Sequence, residues 1–198
     1  MRTRITLDPE TLLEAYCRGV FPMTDTDGQV RWYSADPRGI VPLDQFHVPQ
    51  SLAQFMRGKG YPFESRIDCD FEATMRACMT ARRDRTWISQ PLIDAYTRLH
   101  HLGFAHSVET WKEGKLVGGL YGVSIGGAFF GESMFHTERD ASKVALVRLV
   151  ERLRERGYEL LDSQAATDHL RKFGCIEIPA AKYIRLLERA IRKDCTFA

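Results

Sequence analysis

The chemistry of this sequence centres on three polar residues that interrupt its most apolar stretches. Glu132 lies within the glycine-rich apolar run at residues 118–135, and Asp162 and Gln164 end a short apolar segment that follows the next helix-like run. A charged side chain inside an apolar strand is costly to bury unless a partner offsets its charge. A carboxylate close to an amide can orient a neighbouring group while the amide holds a nucleophile or a developing oxyanion. The pattern therefore indicates a site lined by strands.

Each of these residues also has a simpler interpretation. Glu132 could be a structural acid paired with a nearby Arg or Lys. The end of the later segment could emerge into solvent. Alternation along a strand places Asp162 and Gln164 on one face with Leu160, and Leu161 on the other face. The sequence leaves these alternatives open.

Other reactive side chains show no catalytic or metal-binding pattern. The five cysteines are odd in number and include no C-x-x-C pair, so neither a disulfide framework nor a zinc site is indicated. His100, His101 and His106 lack the spacing of metal ligands. A residue such as His169 lies more often on a helix surface than in a catalytic centre. We therefore expect no metal.

Composition limits the class of protein. The 198 residues suffice for one sizeable domain, or for a domain with a small cap. No apolar run approaches the ~20 residues of a membrane span, and the N-terminus lacks the apolar core of a secretion signal. We expect a cytoplasmic protein with no membrane partner. The net charge of +2 permits nucleic-acid binding without arguing for it.

Hydrophobic periodicity predicts the order of the elements. We assign residues 1–60, with one short helix, a short strand and an irregular or short-helical stretch from residue 40, to a small N-terminal subdomain. Residues 61–198 predict two helices, a meander of three strands, a helix, a fourth strand and two helices. A meander followed by a helical crossover gives an α+β fold with a mixed α/β sheet. This order resembles the acyltransferase fold called GNAT, which predicts a GNAT-like catalytic domain.

The residues between the third predicted strand and the next helix indicate which acyl donor such an enzyme could use. A GNAT enzyme that uses acetyl-CoA needs a turn whose backbone N–H groups cradle the pyrophosphate at the start of a helix. Here the junction, residues 136–143, has no glycine and carries Glu138 and Asp140, which would repel a pyrophosphate. The sequence therefore predicts no CoA site, no cofactor and a different acyl donor.

Motifs spread from the first helix to Tyr183 carry a specific resemblance. They are residues 15–23 (AYCRGVFPM), 36–38 (DPR), 86–88 (TWI), 105–111 (AHSVETW), 118–135, 140–143 (DASK) and 161–164 (LDSQ). Gly-Glu-Ser-Met-Phe followed by Asp-x-Gln is specific when it occurs in this order. Together these segments resemble the leucyl/phenylalanyl-tRNA–protein transferase family.

The resemblance implies an enzyme that transfers Leu or Phe, and Met less well, from aminoacyl-tRNA to the N-terminal Arg or Lys of a protein. The product is marked for degradation by the N-degron pathway. A GNAT-like domain that uses neither CoA nor a metal is also implied. The partners would be Leu-, Phe- or Met-tRNA and proteins that begin with Arg or Lys, and we expect the chain to act as a monomer.

The resemblance also implies roles for individual residues. Asp162 and Gln164 would be the catalytic pair, with Gln164 holding the α-amino group of the acceptor and Asp162 polarising that arrangement. Glu132 would contact the terminal adenosine or the cationic acceptor. The pocket for the Leu or Phe side chain would be lined by Leu120, Phe129, Leu146 and Leu161. The adenosine site would be shaped by Tyr16, Trp87 and Tyr96, with His169 nearby.

The chain has a further candidate contact with tRNA and one departure from the family. Arg82, Arg83 and Arg85, just before Trp87, form its best combination of basic and aromatic side chains. Many members of the family carry Trp where this chain has Met23, so base stacking there would be weaker or supplied by another aromatic residue.

Two other functions stay open at this point. One is a CoA-dependent N-acyltransferase of similar fold, which would bind acetyl-CoA. The other is a non-catalytic binder of tRNA 3′ ends, which would bind tRNA without turnover.

Overall fold

The computed structural model describes residues 6–81 and 86–198. The helices over these residues are α1 (Pro9–Cys17), α2 (Gln50–Arg57), α3 (Phe71–Ala81), α4 (Gln90–His101), α5 (Ala141–Glu155), α6 (Asp168–Arg171) and α7 (Ala180–Ala190). The strands are β1 (Phe21–Thr24), β2 (Val30–Tyr33), β3 (Arg38–Val41), β4 (Glu64–Ile67), β5 (Ala105–Lys112), β6 (Lys115–Ile125), β7 (Ala128–His136), β8 (Leu160–Gln164) and β9 (Ile176–Ile178). Arg82, Arg83 and Arg85 lie outside the described residues.

Seven strands form the main sheet, in the order β4-β5-β6-β7-β8-β3-β9. Neighbouring strands are antiparallel except β7 and β8, which run parallel because α5 crosses over between them. Strands β5, β6 and β7 form the predicted meander, and β8 follows the predicted crossover helix. The predicted α+β class and the GNAT-like order of elements are thus confirmed.

Apolar side chains cover both faces of this sheet. One core contains residues of α1, α3, α4 and α7, and the other contains residues of α2 and α5. Leu160 packs in the first core and Leu161 in the second, as alternation along a strand predicts. No helix within the described ranges is both long and apolar enough to span a membrane.

The prediction of an irregular or short-helical stretch from residue 40 is wrong at its start. Ile40 and Val41 belong to β3, which pairs with β8 on one side and β9 on the other. All four residues of β3 are buried, so the strand lacks the polar–apolar alternation that would reveal it in the sequence. Residues 38–41 are thus part of the main sheet, while the division of the chain near residue 60 stays a prediction.

A separate hairpin of β1 and β2 packs beside α4. The backbone N–H of Thr24 donates to the carbonyl oxygen of Trp87 at 3.1 Å, and the Thr24 hydroxyl donates to Ser89 Oγ at 2.7 Å. These bonds hold the loop before α4 against the hairpin. Trp87 and Met23 are thereby brought to the same region of the surface.

Helix α5 packs directly on β6 where the helix begins. A Cβ atom on Gly118 would lie 2.5 Å from Ala141 Cβ and 2.8 Å from the Ala141 carbonyl carbon. The Thr110 hydroxyl also donates to the Ala141 carbonyl oxygen at 2.9 Å. Because backbone rather than a flexible side chain fills this space, Gly118 sets the distance between α5 and the sheet.

We expect Gly118→Ala to lower the free energy of unfolding by about 1–3 kcal/mol, because the added methyl group overpacks the contact with α5. Urea unfolding followed by circular dichroism measures this change. Gly131→Ala is the matched control, since its nearest neighbour, the Asp162 carbonyl oxygen, lies 3.5 Å from the added atom. Equal stability of the two variants would contradict the close packing of α5 at Gly118.

Candidate active site

The main sheet opens between β7 and β8. The two strands pair over three residues each, although β7 has nine residues and β8 has five. A cavity of about 630 Å³ lies where the pairing stops, and residues 131–134 and 161–164 form part of its lining. Glu132, Asp162 and Gln164 all line this cavity. The structure therefore brings together the three polar residues that stand out in the sequence.

Asp162 is buried and forms an ion pair with a buried arginine. Arg38 donates from Nε to Asp162 Oδ1 at 3.0 Å and from Nη2 to Oδ2 at 2.6 Å. The Tyr183 hydroxyl donates to Oδ2 at 2.6 Å. Asp162 is 0% exposed and Arg38 is 1% exposed. A buried charge is tolerated when it is paired and hydrogen-bonded in this way, and the alternative of a solvent-exposed strand end is wrong for Asp162.

Gln164 is held in a left-handed backbone conformation at the end of β8. Its φ is 56°, a region that residues other than glycine seldom adopt. Its backbone N–H donates to Asp162 Oδ1 at 2.8 Å, which stabilises the turn. The following residue packs on β3, because a Cβ atom on Gly39 would lie 2.4 Å from the Ala165 carbonyl carbon. Strand alternation ends here, so it does not predict the direction of the Gln164 side chain.

Glu132 accepts hydrogen bonds from three neutral groups. The Tyr16 hydroxyl donates to Oε1 at 2.8 Å, and Gln164 Nε2 donates to the same oxygen at 3.2 Å. The Tyr96 hydroxyl donates to Oε2 at 3.4 Å and also contacts the Tyr16 hydroxyl. Within the described part of the chain, no Lys, Arg or His forms an ion pair with Glu132. The interpretation of Glu132 as one half of a structural ion pair is not supported by these residues.

The surroundings of Glu132 change how it binds protons. Burial raises the pKa of Glu132 to about 8, the hydrogen bond from Tyr16 opposes this rise, the charge of Asp162 adds to it, and that of Arg38 opposes it. Burial also raises the pKa of Tyr16 and of Tyr96 well above that of an ordinary phenol, so both keep their protons and donate them. Glu132 thus gains or loses its charge close to neutral pH, and a bound cation would favour the charged form.

Much of the remaining lining of the cavity is apolar. It includes three of the four residues predicted for the aminoacyl pocket. The apolar residues that β3, β6, β7, β8, α5 and α6 contribute are Val41, Leu120, Met134, Leu146, Leu149, Leu161 and Leu170. The fourth predicted residue, Phe129, lies outside this lining. Its fully buried ring stacks on Phe197, with ring centroids 5.1 Å apart. Phe129 therefore supports the sheet behind the pocket.

The residues predicted for the adenosine site separate into two groups. Trp87 and His169 line the cavity, together with Met23. Tyr16 and Tyr96 are 0% exposed, so their rings present no free face to a nucleobase. Their hydroxyl groups instead hold the carboxyl group of Glu132.

His169 has an unusual environment within the cavity lining. Its Nε2 atom is buried and has no hydrogen-bond partner among the described residues. Burial lowers the pKa of His169, and the nearby charge of Lys143 lowers it further, which favours the neutral ring. The described residues contain no group of three or more His, Cys, Asp or Glu side chains placed to hold a metal ion.

Two residues that complete the site are not identified from the sequence. Arg38 stands in a predicted turn, and Tyr183 has the helical spacing of an ordinary core residue. Both are buried against Asp162. The only sequence signal for Arg38 is its place within a motif that carries the resemblance, where Gly39 separates it from the apolar residues 40 and 41.

Comparison with known proteins places the chain in a family. Residues 40–188 match the family described as leucyl/phenylalanyl-tRNA protein transferase, and residues 6–36 match its N-terminal domain. A leucyl/phenylalanyl-tRNA–protein transferase of Rubrobacter xylanophilus is 56% identical, over 97% of this chain and 99% of its own length. The corresponding protein of Herpetosiphon aurantiacus is 54% identical, over 96% and 98%.

A solved structure shares the fold at much lower identity. L-PGS from Bacillus licheniformis superimposes with a TM-score of 0.51 and 13% identity, over 93% of this chain and 70% of that chain. This likeness shows the fold alone, whereas the sequence matches extend over nearly the whole chain. The chain therefore belongs to the leucyl/phenylalanyl-tRNA–protein transferase family of aminoacyltransferases.

Proposed function

We propose that this protein moves Leu or Phe, and Met less well, from aminoacyl-tRNA to the α-amino group of proteins that begin with Arg or Lys. The observation that carries this proposal is the contrast between the two acids of the cavity. Asp162 is paired with Arg38, whereas the hydrogen-bond donors to Glu132 among the described residues are all neutral. A site that leaves one carboxylate without a counter-charge favours a cationic substrate.

The acceptor fits this arrangement through two groups. An N-terminal Arg or Lys carries a second positive charge on its side chain, which an N-terminal Ala lacks. Glu132 supplies the anion for that charge. Gln164 lies beside it and donates its Nε2 group to Glu132, which leaves the amide oxygen of Gln164 to accept an N–H bond from the α-amino group.

The donor fits the remaining part of the cavity. An apolar lining accepts the side chain of Leu or Phe, rejects charged side chains, and separates Leu from Met poorly. Trp87 and Met23, at the rim beside the β1–β2 hairpin, offer apolar surface to the terminal adenosine. The ester bond between the amino acid and the ribose then lies between these two regions, near Gln164.

The proposed reaction is an exchange of an ester for an amide. The neutral α-amino group attacks the ester carbonyl carbon, a C–N bond forms, and the C–O bond to the ribose breaks. The ribose hydroxyl leaves with the proton that the amine loses. Both oxygens of Asp162 already accept bonds from Arg38, Tyr183 and Gln164, so Asp162 positions Gln164 rather than taking this proton. Because the exchange is energetically downhill, positioning supplies much of the rate.

The cellular setting is part of the same proposal. The modified proteins would be marked for degradation by the N-degron pathway, in the cytoplasm, where charged tRNA is available. A monomer suffices, since Glu132, Asp162, Gln164 and the apolar lining all come from one chain.

The direct test is transfer of labelled Leu or Phe from charged tRNA to a peptide that begins with Arg, beside the same peptide beginning with Ala. We expect transfer to the Arg peptide, and a loss of about 100-fold or more in Gln164→Ala because the acceptor amine is no longer held. No transfer from Leu-, Phe- or Met-tRNA would contradict the proposal. Binding of charged tRNA without transfer would favour the non-catalytic binder, and binding of acetyl-CoA would favour the CoA-dependent enzyme.

Removing the charge of Glu132 tests the recognition of the acceptor. We expect Glu132→Gln to raise the KM for the Arg peptide about tenfold or more, with a smaller change in the KM for charged tRNA. Glu138→Gln is the matched control, because Glu138 pairs with Lys112 at 3.4 Å outside the cavity lining. An unchanged preference for Arg over Ala in Glu132→Gln would assign recognition of the cation to another residue.

The raised pKa of Glu132 predicts a pH-dependent affinity for cations. Below a pH of about 8 the free carboxyl group is largely protonated, so a cation must displace the proton in order to bind well. The inhibition constant of propylguanidine, whose cation persists across this range, should therefore improve roughly 25-fold between pH 6.5 and pH 8.5, as the ionised fraction of Glu132 rises. Glu132→Gln should abolish this dependence, and an equally steep dependence in the variant would exclude Glu132 as its source.

A further inference from the structure

Arg38 is the largest fully buried side chain in the described part of the protein, and it does not line the cavity. We propose that Arg38 is a positioning residue for the transfer reaction, which fixes Gln164 through Asp162. The inference rests on the proposed role of Gln164 in holding the acceptor amine. Its structural basis is independent of the identity of the acceptor.

Arg38 makes contacts that a lysine cannot reproduce. Its Nε and Nη2 atoms both donate to Asp162, while Nη1 donates to the Gly19 carbonyl oxygen at 2.9 Å. The guanidinium carbon lies 4.9 Å from the centre of the Phe21 ring and 4.5 Å from that of Tyr183. The planar guanidinium group of arginine can stack between rings while its forked N–H groups donate to two acceptors. The single ammonium group of lysine cannot make both kinds of contact.

The link from Arg38 to Gln164 runs through one oxygen atom. Asp162 Oδ1 accepts from Arg38 Nε and from the backbone N–H of Gln164 at 2.8 Å. Rotation of the carboxyl group would break the second bond. Because Gln164 adopts a left-handed conformation at φ 56°, loss of this bond releases a residue whose backbone is already unfavourable.

Titratable side chains face Asp162 from several parts of the fold. They are Arg38 of β3, Tyr183 of α7 and Glu132 of β7, with Cys175 before β9. Arg38 is the only cation among these four. A lysine at position 38 would keep the charge but could not reach both carboxylate oxygens and the Gly19 carbonyl oxygen at once, so Asp162 Oδ1 would be held less firmly toward the Gln164 N–H.

The test compares three variants with the wild-type protein. Arg38→Lys keeps the charge but loses the fork, and Tyr183→Phe removes one hydrogen bond to Asp162 without removing a charge. Arg154→Lys is the matched control, because Arg154 donates to the Leu43 and Phe46 carbonyl oxygens in the other core, away from the cavity lining. Each variant is measured by the kcat and KM of Leu transfer to the Arg peptide, by hydrogen exchange of the segment 163–170, and by thermal unfolding.

We expect Arg38→Lys to lower kcat about 10- to 100-fold with little change in the KM for charged tRNA, since a small displacement of a positioning group has this size of effect. The segment 163–170 should also exchange faster, because the bond that holds the Gln164 N–H is weakened. Tyr183→Phe should change kcat and hydrogen exchange in the same direction by a smaller factor, because it removes one hydrogen bond to Asp162. Arg154→Lys should lower the melting temperature alone.

Two outcomes would overturn the inference. One is wild-type kcat and exchange in a folded Arg38→Lys, and the other is an Arg38→Lys variant that differs from Arg154→Lys in no readout. If Arg38→Lys does not fold, Tyr183→Phe decides, and unchanged exchange in it would overturn the inference. If the wild-type protein transfers nothing, the proposed function fails, while hydrogen exchange still shows whether residue 38 holds the Gln164 segment.

Discussion

The ion pair between Arg38 and Asp162 is the interaction on which the rest of the site depends. Removing both charges from water is costly, and such a pair by itself is weak evidence of stability. The pair is tolerated here because the donors around it all have acceptors. Arg38 donates to Asp162 and to the Gly19 carbonyl oxygen, and the Tyr183 hydroxyl and the Gln164 N–H donate to Asp162. A carboxyl group with so many fixed partners cannot turn, and its position is transmitted to the last residue of β8.

The two acids of the cavity differ in the partners that meet their charges. Asp162 is satisfied within the protein by a cation. Glu132 is held in place by two buried phenols and an amide, which fix its direction without cancelling its charge. The protein thereby places a carboxyl group in a low-dielectric cavity and raises its pKa. Under the proposed function, a cationic substrate would offset the cost of charging Glu132, and its recognition would then depend on that charge.

Much of the fold follows from local sequence patterns, and the supporting contacts of the site do not. The meander and the crossover helix follow from alternation and helical periodicity, and Glu132, Asp162 and Gln164 stand out as polar residues in apolar strands. Arg38 and Asp162 are 124 positions apart in the sequence, so no local pattern predicts their contact. Tyr16 and Tyr96 look like nucleobase platforms by residue type. In the structure both rings are buried and their hydroxyl groups bond Glu132. This burial results from the packing of α1 and α4 on the sheet, which local sequence does not show.

The cavity itself comes from the end of a strand pairing. Parallel pairing of β7 and β8 covers three residues on each strand, and a longer ladder would join Glu132 to the backbone of β8 and close the space. The pairing ends at Asp162, and two residues later Gln164 adopts a left-handed backbone conformation that turns the chain. Asp162 holds that turn, and Gly39 lets the chain after it approach β3 closely. The contacts that fix Gln164 therefore also shape the part of the cavity wall that β8 contributes.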